Sequence, residues 1–327
     1  MRRREFIKLL GGAIAVRPLA ASAQQPAMPL VGYLHSGSPS PNAHLVAAFR
    51  QGLMEAGYVE DRNVGIEFRW AEGRYDQLPA LAAELIARHV SVIVAQGGDP
   101  PSLAARSLTA TIPIVFTSSS DPVKLGLVNS LNRPGGNVTG VWLYTSLLGT
   151  KRLELLRQLL PANTLIAVLV NPSNPNAQSD IAELQDAARG LGQSISLVKA
   201  SIETEIDAGF ATLAQSRVSA LLVNTDPFYL ARRDQIVALA ARDQVMAIYA
   251  QREFVAAGGL ISYGASLADG YQQVGLYTGR VLKGENPADI PVMQPTKFEM
   301  AINLKTATSL GLSIPATLLA LANEVIE

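Results

Sequence analysis

The sequence contains no cysteine among its 327 residues. This absence excludes disulfide bonds, a cysteine nucleophile and the lipid-modified cysteine through which many exported proteins are tethered to a membrane. Stability must therefore come from buried apolar side chains. A chain of this length can form two domains of ordinary size, each with its own core.

Histidine is scarce, and the usual catalytic motifs are missing. The three histidines, His35, His44 and His89, are scattered through the chain without the spacing of a metal site. No Gly-x-Ser-x-Gly elbow and no phosphate-binding glycine loop is present. We therefore expect no metal, no cofactor and no enzymatic activity. His44 and His89 fit helix surfaces, whereas His35 follows the first predicted strand and is a candidate ligand contact.

The N-terminus has the order of regions found in a secretory signal peptide. Met1–Lys8 is strongly cationic, Leu9–Val16 is apolar, and Ala21–Ala23 has the small-x-small pattern of a cleavage site. Two adjacent arginines followed by Phe and Lys fit the twin-arginine version, with general secretion as the alternative. Arg17 and Pro18 interrupt the apolar run well short of the roughly 20 residues that span a membrane. We expect export and cleavage of residues 1–23.

The chain that follows the leader is mildly acidic. Removing residues 1–23 takes away five positive side chains and one negative side chain, so the remaining 304 residues have a net charge near −4. Such a chain, without a basic block, is not expected to bind nucleic acid or an anionic membrane surface. No other long apolar run is present, so we expect a soluble mature protein.

Short apolar runs alternate with helical periodicity from Pro29 onward, and the rhythm restarts after Gly140. The runs with strand character are Leu30–Leu34, Val64–Trp70, Val92–Ala95, Ile112–Phe116, Leu165–Val170, Ile195–Val198, Ala220–Val223 and Met246–Tyr249. Repeated strand–helix units of this length are typical of parallel sheets covered by helices on both faces. The sequence therefore predicts an α/β protein with two doubly wound parallel-sheet lobes.

Four of these strands are followed by small polar residues and then by Asp or Asn before Pro. The four pairs are Asp99-Pro100, Asp121-Pro122, Asn174-Pro175 and Asp226-Pro227. Asp or Asn suits a helix N-cap and Pro suits the first helical position. These loops therefore lie at the carboxyl ends of parallel strands, the edge where open α/β sheets bind ligands. Helix N-termini at this edge favour anionic groups.

Two interpretations of these loops remain open. Helix capping alone explains any single Asp-Pro pair, whereas four pairs spread over both halves favour two polar edges facing each other across a cleft. In the cleft interpretation Asp121 and Asp226 lie on opposite walls and orient a ligand, rather than act as an acid–base pair. The candidate ligand-binding residues are Ser36, Gln96, Ser119, Asp121, Tyr144, Asn171, Asn224, Asp226 and Tyr249.

Several segments resemble one family of transport proteins. The matching segments are Glu55–Tyr58, Asp121–Val128, Leu131–Gly140, Gly258–Gly264 and Lys283–Val292. The most specific is the Arg-Pro-Gly-Gly-Asn-x-Thr-Gly stretch that ends at Gly140. Together the segments resemble the substrate-binding proteins of ABC transporters in the tryptophan/tyrosine-type group, in order and over nearly all of the mature chain.

The resemblance implies the type I periplasmic-binding fold, in which two α/β lobes joined by a three-crossing hinge hold a ligand between them. It also implies an amino-acid-like small-molecule ligand and an ABC permease in the inner membrane as partner. Many such proteins are anchored through a lipidated cysteine, which this chain lacks. A twin-arginine-like leader on a cysteine-free chain points to a Gram-negative periplasm, and we expect a monomer.

The resemblance also places the hinge. The crossings are predicted at Gly140–Ser146, Ser262–Ser266 and Ile290–Thr296. Lobe one would comprise residues 29–142 and 265–289, and lobe two residues 145–262 and 292–327.

The leading functional hypothesis is therefore a periplasmic solute-binding subunit of an ABC importer, which binds a small organic molecule without altering it. The alternative is a periplasmic sensory binding module that presents its ligand-bound form to a receptor or kinase. Both would share one fold, so the sequence does not separate them. A transcriptional regulator of related fold is disfavoured by the export signal and by the lack of a basic patch and a DNA-binding helix pair.

Overall fold

The computed structural model describes residues 28–143, 148–161, 164–295 and 297–327. The predicted leader and Tyr144 lie outside the described residues. Two β-sheets, each with helices packed on both faces, account for the apolar cores. The predicted α/β class with two parallel-sheet lobes is confirmed. Within the described ranges, the helices are all too short or too polar to cross a membrane.

The first sheet is entirely parallel and has the strand order β2-β1-β3-β4-β5. Its strands are β1 (Leu30–His35), β2 (Gly65–Trp70), β3 (Val92–Gln96), β4 (Ile114–Ser118) and β5 (Val138–Trp142). Helices α1 (Ala43–Glu55) and α10 (Leu267–Leu282) cover one face, and α2 (Leu78–Ala87) and α3 (Asp99–Leu108) cover the other. Because both faces are covered, the central strands are apolar on both faces up to their polar carboxyl ends, rather than alternating.

Helices α1 and α10 pack backbone against backbone at two glycines. A Cβ atom at Gly52 would overlap the carbonyl oxygen of Gln272, and one at Gly275 would overlap that of Phe49. Only glycine permits this close approach. It brings the first turns of α10, which contain Tyr271, over the carboxyl end of β1.

The second sheet has the strand order β12-β11-β10-β9-β8-β6-β7. Its strands are β6 (Ile166–Val170), β7 (Ile195–Lys199), β8 (Ala220–Val223), β9 (Met246–Tyr249), β10 (Ile261–Ala265), β11 (Phe298–Asn303) and β12 (Glu324–Ile326). Its helices are α4 (Gly149–Arg157), α5 (Ala177–Gly190), α6 (Glu203–Gln215), α7 (Pro227–Ala231), α8 (Arg233–Arg242), α9 (Arg252–Ala256), α11 (Leu304–Ser309) and α12 (Ala316–Leu319). Neighbouring strands are parallel except β10 and β11.

The antiparallel strand β11 was not predicted, and its direction follows from the path of the chain. Met293 forms a bridge to Val141 of β5 at the carboxyl edge of the first sheet. The chain then reaches the second sheet at its own carboxyl edge, where Phe298 pairs with Ala265. A strand that enters at this edge runs antiparallel to β10. The chain thus crosses from one sheet to the other after β5, again after β10 and before α10, and again after Met293 and before β11.

Candidate functional site

The carboxyl ends of the parallel strands in the two sheets face one another across a cavity. Residues associated with the first sheet line one side, namely His35, Asn42, Gly97, Gly98, Thr117, Ser119, Leu143, Leu267 and Tyr271. Residues associated with the second sheet line the other, namely Thr225, Asp226, Pro227, Leu230 and Gln251. Both sheets therefore present their usual ligand-binding edge to the same space.

Asp226 is a buried carboxylate on the second-sheet wall. It follows β8 and caps α7, where its Oδ1 atom accepts a hydrogen bond from the Phe228 amide at 2.8 Å. Asn171 Nδ2 donates to Oδ1 at 3.2 Å, and Asn174 Nδ2 donates to Oδ2 at 2.7 Å. Burial raises the pKa of Asp226, and these hydrogen bonds to the ionised form oppose the rise. The donors fix the orientation of the carboxylate.

Asp99 is the buried carboxylate of the first-sheet side. It begins α3, and its Oδ1 atom accepts hydrogen bonds from Ser118 Oγ at 2.5 Å and from the Ser119 amide at 2.9 Å. Asn176, which precedes α5 on the second sheet, donates through Nδ2 to Asp99 Oδ2. Burial raises the pKa of Asp99. The sequence showed Asp99 as a strand-end residue, but it was not among the candidate ligand-binding residues.

Asp121, the carboxylate predicted for this wall, is not among the residues that line the cavity. It is partly exposed and accepts hydrogen bonds from the amides of Val123 at 2.9 Å and Lys124 at 3.4 Å. These contacts form an Asx turn, and because turns rather than a helix follow Asp121, the helix expected after this Asp-Pro pair is absent. The expected pairing of Asp121 with Asp226 across the cavity is therefore not found, and Asp99 does not line the cavity either.

The two walls are in direct contact. Tyr75 OH, from the first-sheet side, donates to Asp226 Oδ1 at 3.0 Å. At the rim, His44 Nε2 lies 3.2 Å from Glu253 Oε1. Together with the hydrogen bond between Asn176 and Asp99, these contacts make the arrangement a closed one.

His35 and Tyr271 form the floor of the cavity and belong to a larger aromatic cluster. The His35 ring lies 4.7 Å from that of Trp70, and its Nε2 atom is 3.1 Å from the Tyr271 hydroxyl. The Gly37 amide donates to Nδ1 at 2.8 Å. Burial lowers the pKa of His35 to about 3, so the ring is neutral at physiological pH. His35, a candidate ligand contact because it follows the first predicted strand, thus lines the cavity.

Three other predicted residues lie at the carboxyl ends of β1, β3 and β4. Ser119 lines the cavity. Ser36 is buried and donates through Oγ to the Gly97 carbonyl oxygen at 2.6 Å, while Gln96 Oε1 accepts from Thr117 Oγ1 at 3.1 Å. Gly97 has a φ of 83°, and a Cβ atom there would meet Ser36 Oγ. Glycine therefore allows the loop to pass directly over the strand ends.

The remaining predicted residues lie behind the cavity wall or outside the described ranges. Asn171 supports Asp226, and Asn224 Nδ2 donates at 3.0 Å to a buried carboxylate of α5. Tyr249 is not at the rim but in the core, where its ring stacks on a phenylalanine of α9 at 4.6 Å. Tyr144 is not described.

A buried arginine near the second-sheet wall was not predicted. Arg152 of α4 donates to the Tyr263 carbonyl oxygen and to Thr225 Oγ1, both at 3.3 Å, and Thr225 lines the cavity. Burial lowers the pKa of Arg152 to about 10, and the charge of Asp180 opposes this. Arginine side chains are mostly exposed in folded proteins, so nothing in the sequence indicated this burial.

Comparisons with known proteins agree with this geometry. The family model described as ABC transporter substrate binding protein matches residues 40–326. A tyrosine-binding protein from Clostridioides difficile strain R20291 is 29% identical over 268 residues, which is 81% of this chain and 75% of that protein.

Solved structures give the same fold. A structure described as an ABC domain from Streptococcus pneumoniae in complex with L-Trp has a TM-score of 0.82 at 27% identity, covering 91% of this chain and 99% of that one. The ligand-free, open structure of a substrate-binding protein with adhesive properties from Clostridium difficile has a TM-score of 0.65 at 24% identity and the same coverage.

Proposed function

We propose that this chain, which belongs to the family of ABC transporter substrate-binding proteins, captures an L-amino acid with a largely apolar side chain and delivers it to an ABC permease. The protein acts in the periplasm, after export and removal of the leader, and returns its ligand unaltered. The observation that carries the choice of ligand is the position of Asp226.

Asp226 favours a ligand with a positive charge. Among the described residues that line the cavity it is the one charged side chain, because His35 is held neutral by burial. A buried carboxylate is costly unless it is paired. The ammonium group of an amino acid would supply that pairing, while the neighbouring asparagines hold the carboxylate in place.

The rest of the lining favours an apolar side chain on the ligand. Leu143, Leu230, Leu267 and Pro227 contribute apolar surface, and the Tyr271 ring lies beside them. An apolar cavity with a few convergent polar groups is the usual form of a small-molecule site. The named relatives, one described as tyrosine-binding and one solved with L-Trp, support the same class of ligand.

Isothermal titration of the mature protein with the twenty L-amino acids tests the proposal. We expect one-to-one binding that is tightest for L-tyrosine, L-tryptophan or another amino acid with an apolar side chain. The bound compound should be recovered unchanged by mass spectrometry. Saturable binding of a sugar or an anion with no response to any amino acid would contradict the proposed ligand class, and recovery of an altered compound would contradict binding without reaction.

A further inference from the structure

The tautomer of His35 is fixed by the backbone. The Gly37 amide can only donate, so His35 Nδ1, at 2.8 Å, must accept and carries no proton. The single proton of the neutral ring is therefore on Nε2, which lies 3.1 Å from the Tyr271 hydroxyl oxygen. In this contact His35 is the donor and Tyr271 is the acceptor.

The hydroxyl hydrogen of Tyr271 then has to be donated elsewhere. Burial raises the pKa of Tyr271, and a hydrogen bond from the Gly97 backbone to the same oxygen opposes that rise. Tyr33, in the same cluster, is not the acceptor, because its buried hydroxyl makes no hydrogen bond in the described part of the chain. Tyr271 is 3% exposed and lines the cavity. Its hydrogen is thus left for an acceptor inside the cavity.

A second donor belongs to Gln96, which does not itself line the cavity but whose Oε1 atom accepts a hydrogen bond from Thr117, which does. Gln96 is fully buried, and its Nε2 atom has no hydrogen-bond partner within the described ranges. Gln96 is paired in register with His35, so both side chains lie on the same face of the sheet. Buried donors that remain unpaired are costly, so two of them at one place call for an acceptor.

We propose that Tyr271 and Gln96 form a carboxylate subsite on the cavity floor, with the Tyr271 hydroxyl as the residue that selects for the carboxylate of the ligand. This inference deepens the proposed function and rests on it. Asp226 would bind the ammonium group from the second-sheet wall, and the floor would bind the carboxylate from the first. The two ends of an amino acid would then be held by different sheets, which orients its side chain and excludes simple amines.

Titration of two matched ligand pairs tests the subsite. The pairs are L-tyrosine with tyramine and L-tryptophan with tryptamine, which differ only by the carboxylate. Hydrogen bonds to charged acceptors are the stronger kind, so Tyr271→Phe should weaken binding of the amino acid roughly 10- to 100-fold. Its affinity for the amine should stay within about twofold of wild type, because the amine has no carboxylate to lose. The preference for amino acid over amine should therefore shrink in the variant.

Tyr33→Phe is the matched control. It removes a buried hydroxyl from the same aromatic cluster, but Tyr33 does not line the cavity. We expect this variant to keep the wild-type preference for the amino acid. If Tyr271→Phe binds the amino acid as tightly as wild type, or weakens amine and amino acid equally, the subsite is refuted while the proposed function stands. If wild type binds no amino acid, the proposed function fails and the inference fails with it.

A measurement on the unmodified protein complements the variants. Nitrogen-15 NMR distinguishes the two neutral histidine tautomers. We expect His35 to carry its proton on Nε2 both with and without L-tyrosine. A proton on Nδ1 would make Tyr271 the donor to His35, and the inference would be overturned even if Tyr271→Phe failed to fold.

Discussion

Replacing Asp226 with Asn should separate ligand binding from stability. Three donors converge on Oδ1 of Asp226, namely Asn171, the Phe228 amide and Tyr75, whereas Asn174 alone donates to Oδ2. An asparagine whose amide oxygen takes the Oδ1 position keeps the first three contacts. Its amide nitrogen would face the Asn174 amide nitrogen, so one hydrogen bond is lost.

The two effects of this substitution differ in size. The lost hydrogen bond costs about 1–3 kcal/mol of unfolding free energy. Because burial disfavours the ionised form of Asp226 and raises its pKa, a neutral amide is easier to bury and offsets part of that cost. A ligand ammonium group that loses its buried charged partner loses about 3–5 kcal/mol of binding free energy. That loss corresponds to roughly two to three and a half orders of magnitude in Kd.

Isothermal titration and urea denaturation measure the two quantities on the same preparation. Asp226→Asn should unfold within about 2 kcal/mol of wild type and bind its amino acid at least about 100-fold more weakly. Asp121→Asn is the matched control, since it alters a strand-end carboxylate that accepts backbone amides but does not line the cavity. It should leave both stability and Kd close to wild type, because the Asn side-chain oxygen can accept the same backbone amides. Equal affinity in Asp226→Asn and wild type would refute the assignment of Asp226 to the ammonium group.

Three further outcomes follow from the sequence and the structure. Burial lowers the pKa of His35 from 6.5 to about 3 in the folded state. As the pH falls, the unfolded state therefore binds a proton before the folded state does. The free energy of unfolding should drop between pH 6.5 and pH 3 by at most about 5 kcal/mol. Urea denaturation at several pH values should show that the free energy of unfolding of His35→Gln falls less with pH than that of wild type. An equal dependence on pH in the two proteins would contradict the buried neutral ring. Gly275→Ala should lower the free energy of unfolding by about 1–3 kcal/mol, because the added methyl group overlaps α1. Gly190→Ala is the control: its Cβ atom meets nothing within 4 Å, so it should leave the free energy of unfolding unchanged or raise it by up to about 1 kcal/mol. A similar loss of stability in both variants would argue against the close helix contact. N-terminal sequencing of the exported protein should begin at Gln24, and Met1 in a membrane fraction would exclude cleavage.

The fold was predictable because its signals are local. The eight runs with strand character fall on β1 to β4 and β6 to β9. Most of these strands are buried on both faces and are therefore mainly apolar, whereas the edge strands β2 and β7 are only partly buried. No comparable signal in the sequence predicted β11 near the edge of the second sheet. β11 begins with the exposed Phe298, and its direction depends on where the chain leaves the first sheet.

The site was predictable only in part, because its contacts join distant residues. Polar residues after strands identified the correct edge, and Asp226 and Ser119 line the cavity. Tyr75 and Tyr271 were missed because nothing in their own segments distinguishes them from core residues. Their hydrogen bonds reach across 151 residues to Asp226 and 236 residues to His35. Such pairings depend on how the two sheets are placed, which local patterns do not specify.

The same long-range contacts bear on how a ligand could favour closure. A ligand shifts an open–closed equilibrium only by the difference in its affinity for the two states, and about 5.5 kcal/mol is needed to move it from 1:99 to 99:1. The hydrogen bonds from Asn176 to Asp99 and from Tyr75 to Asp226 join the walls without a ligand, so they supply part of the stability of the closed state. In the proposed function the ammonium group would meet Tyr75 at the carboxylate of Asp226. Binding and closure would then be coupled through the Asp226 carboxylate, because the ligand binds the same group that already joins the two walls through Tyr75.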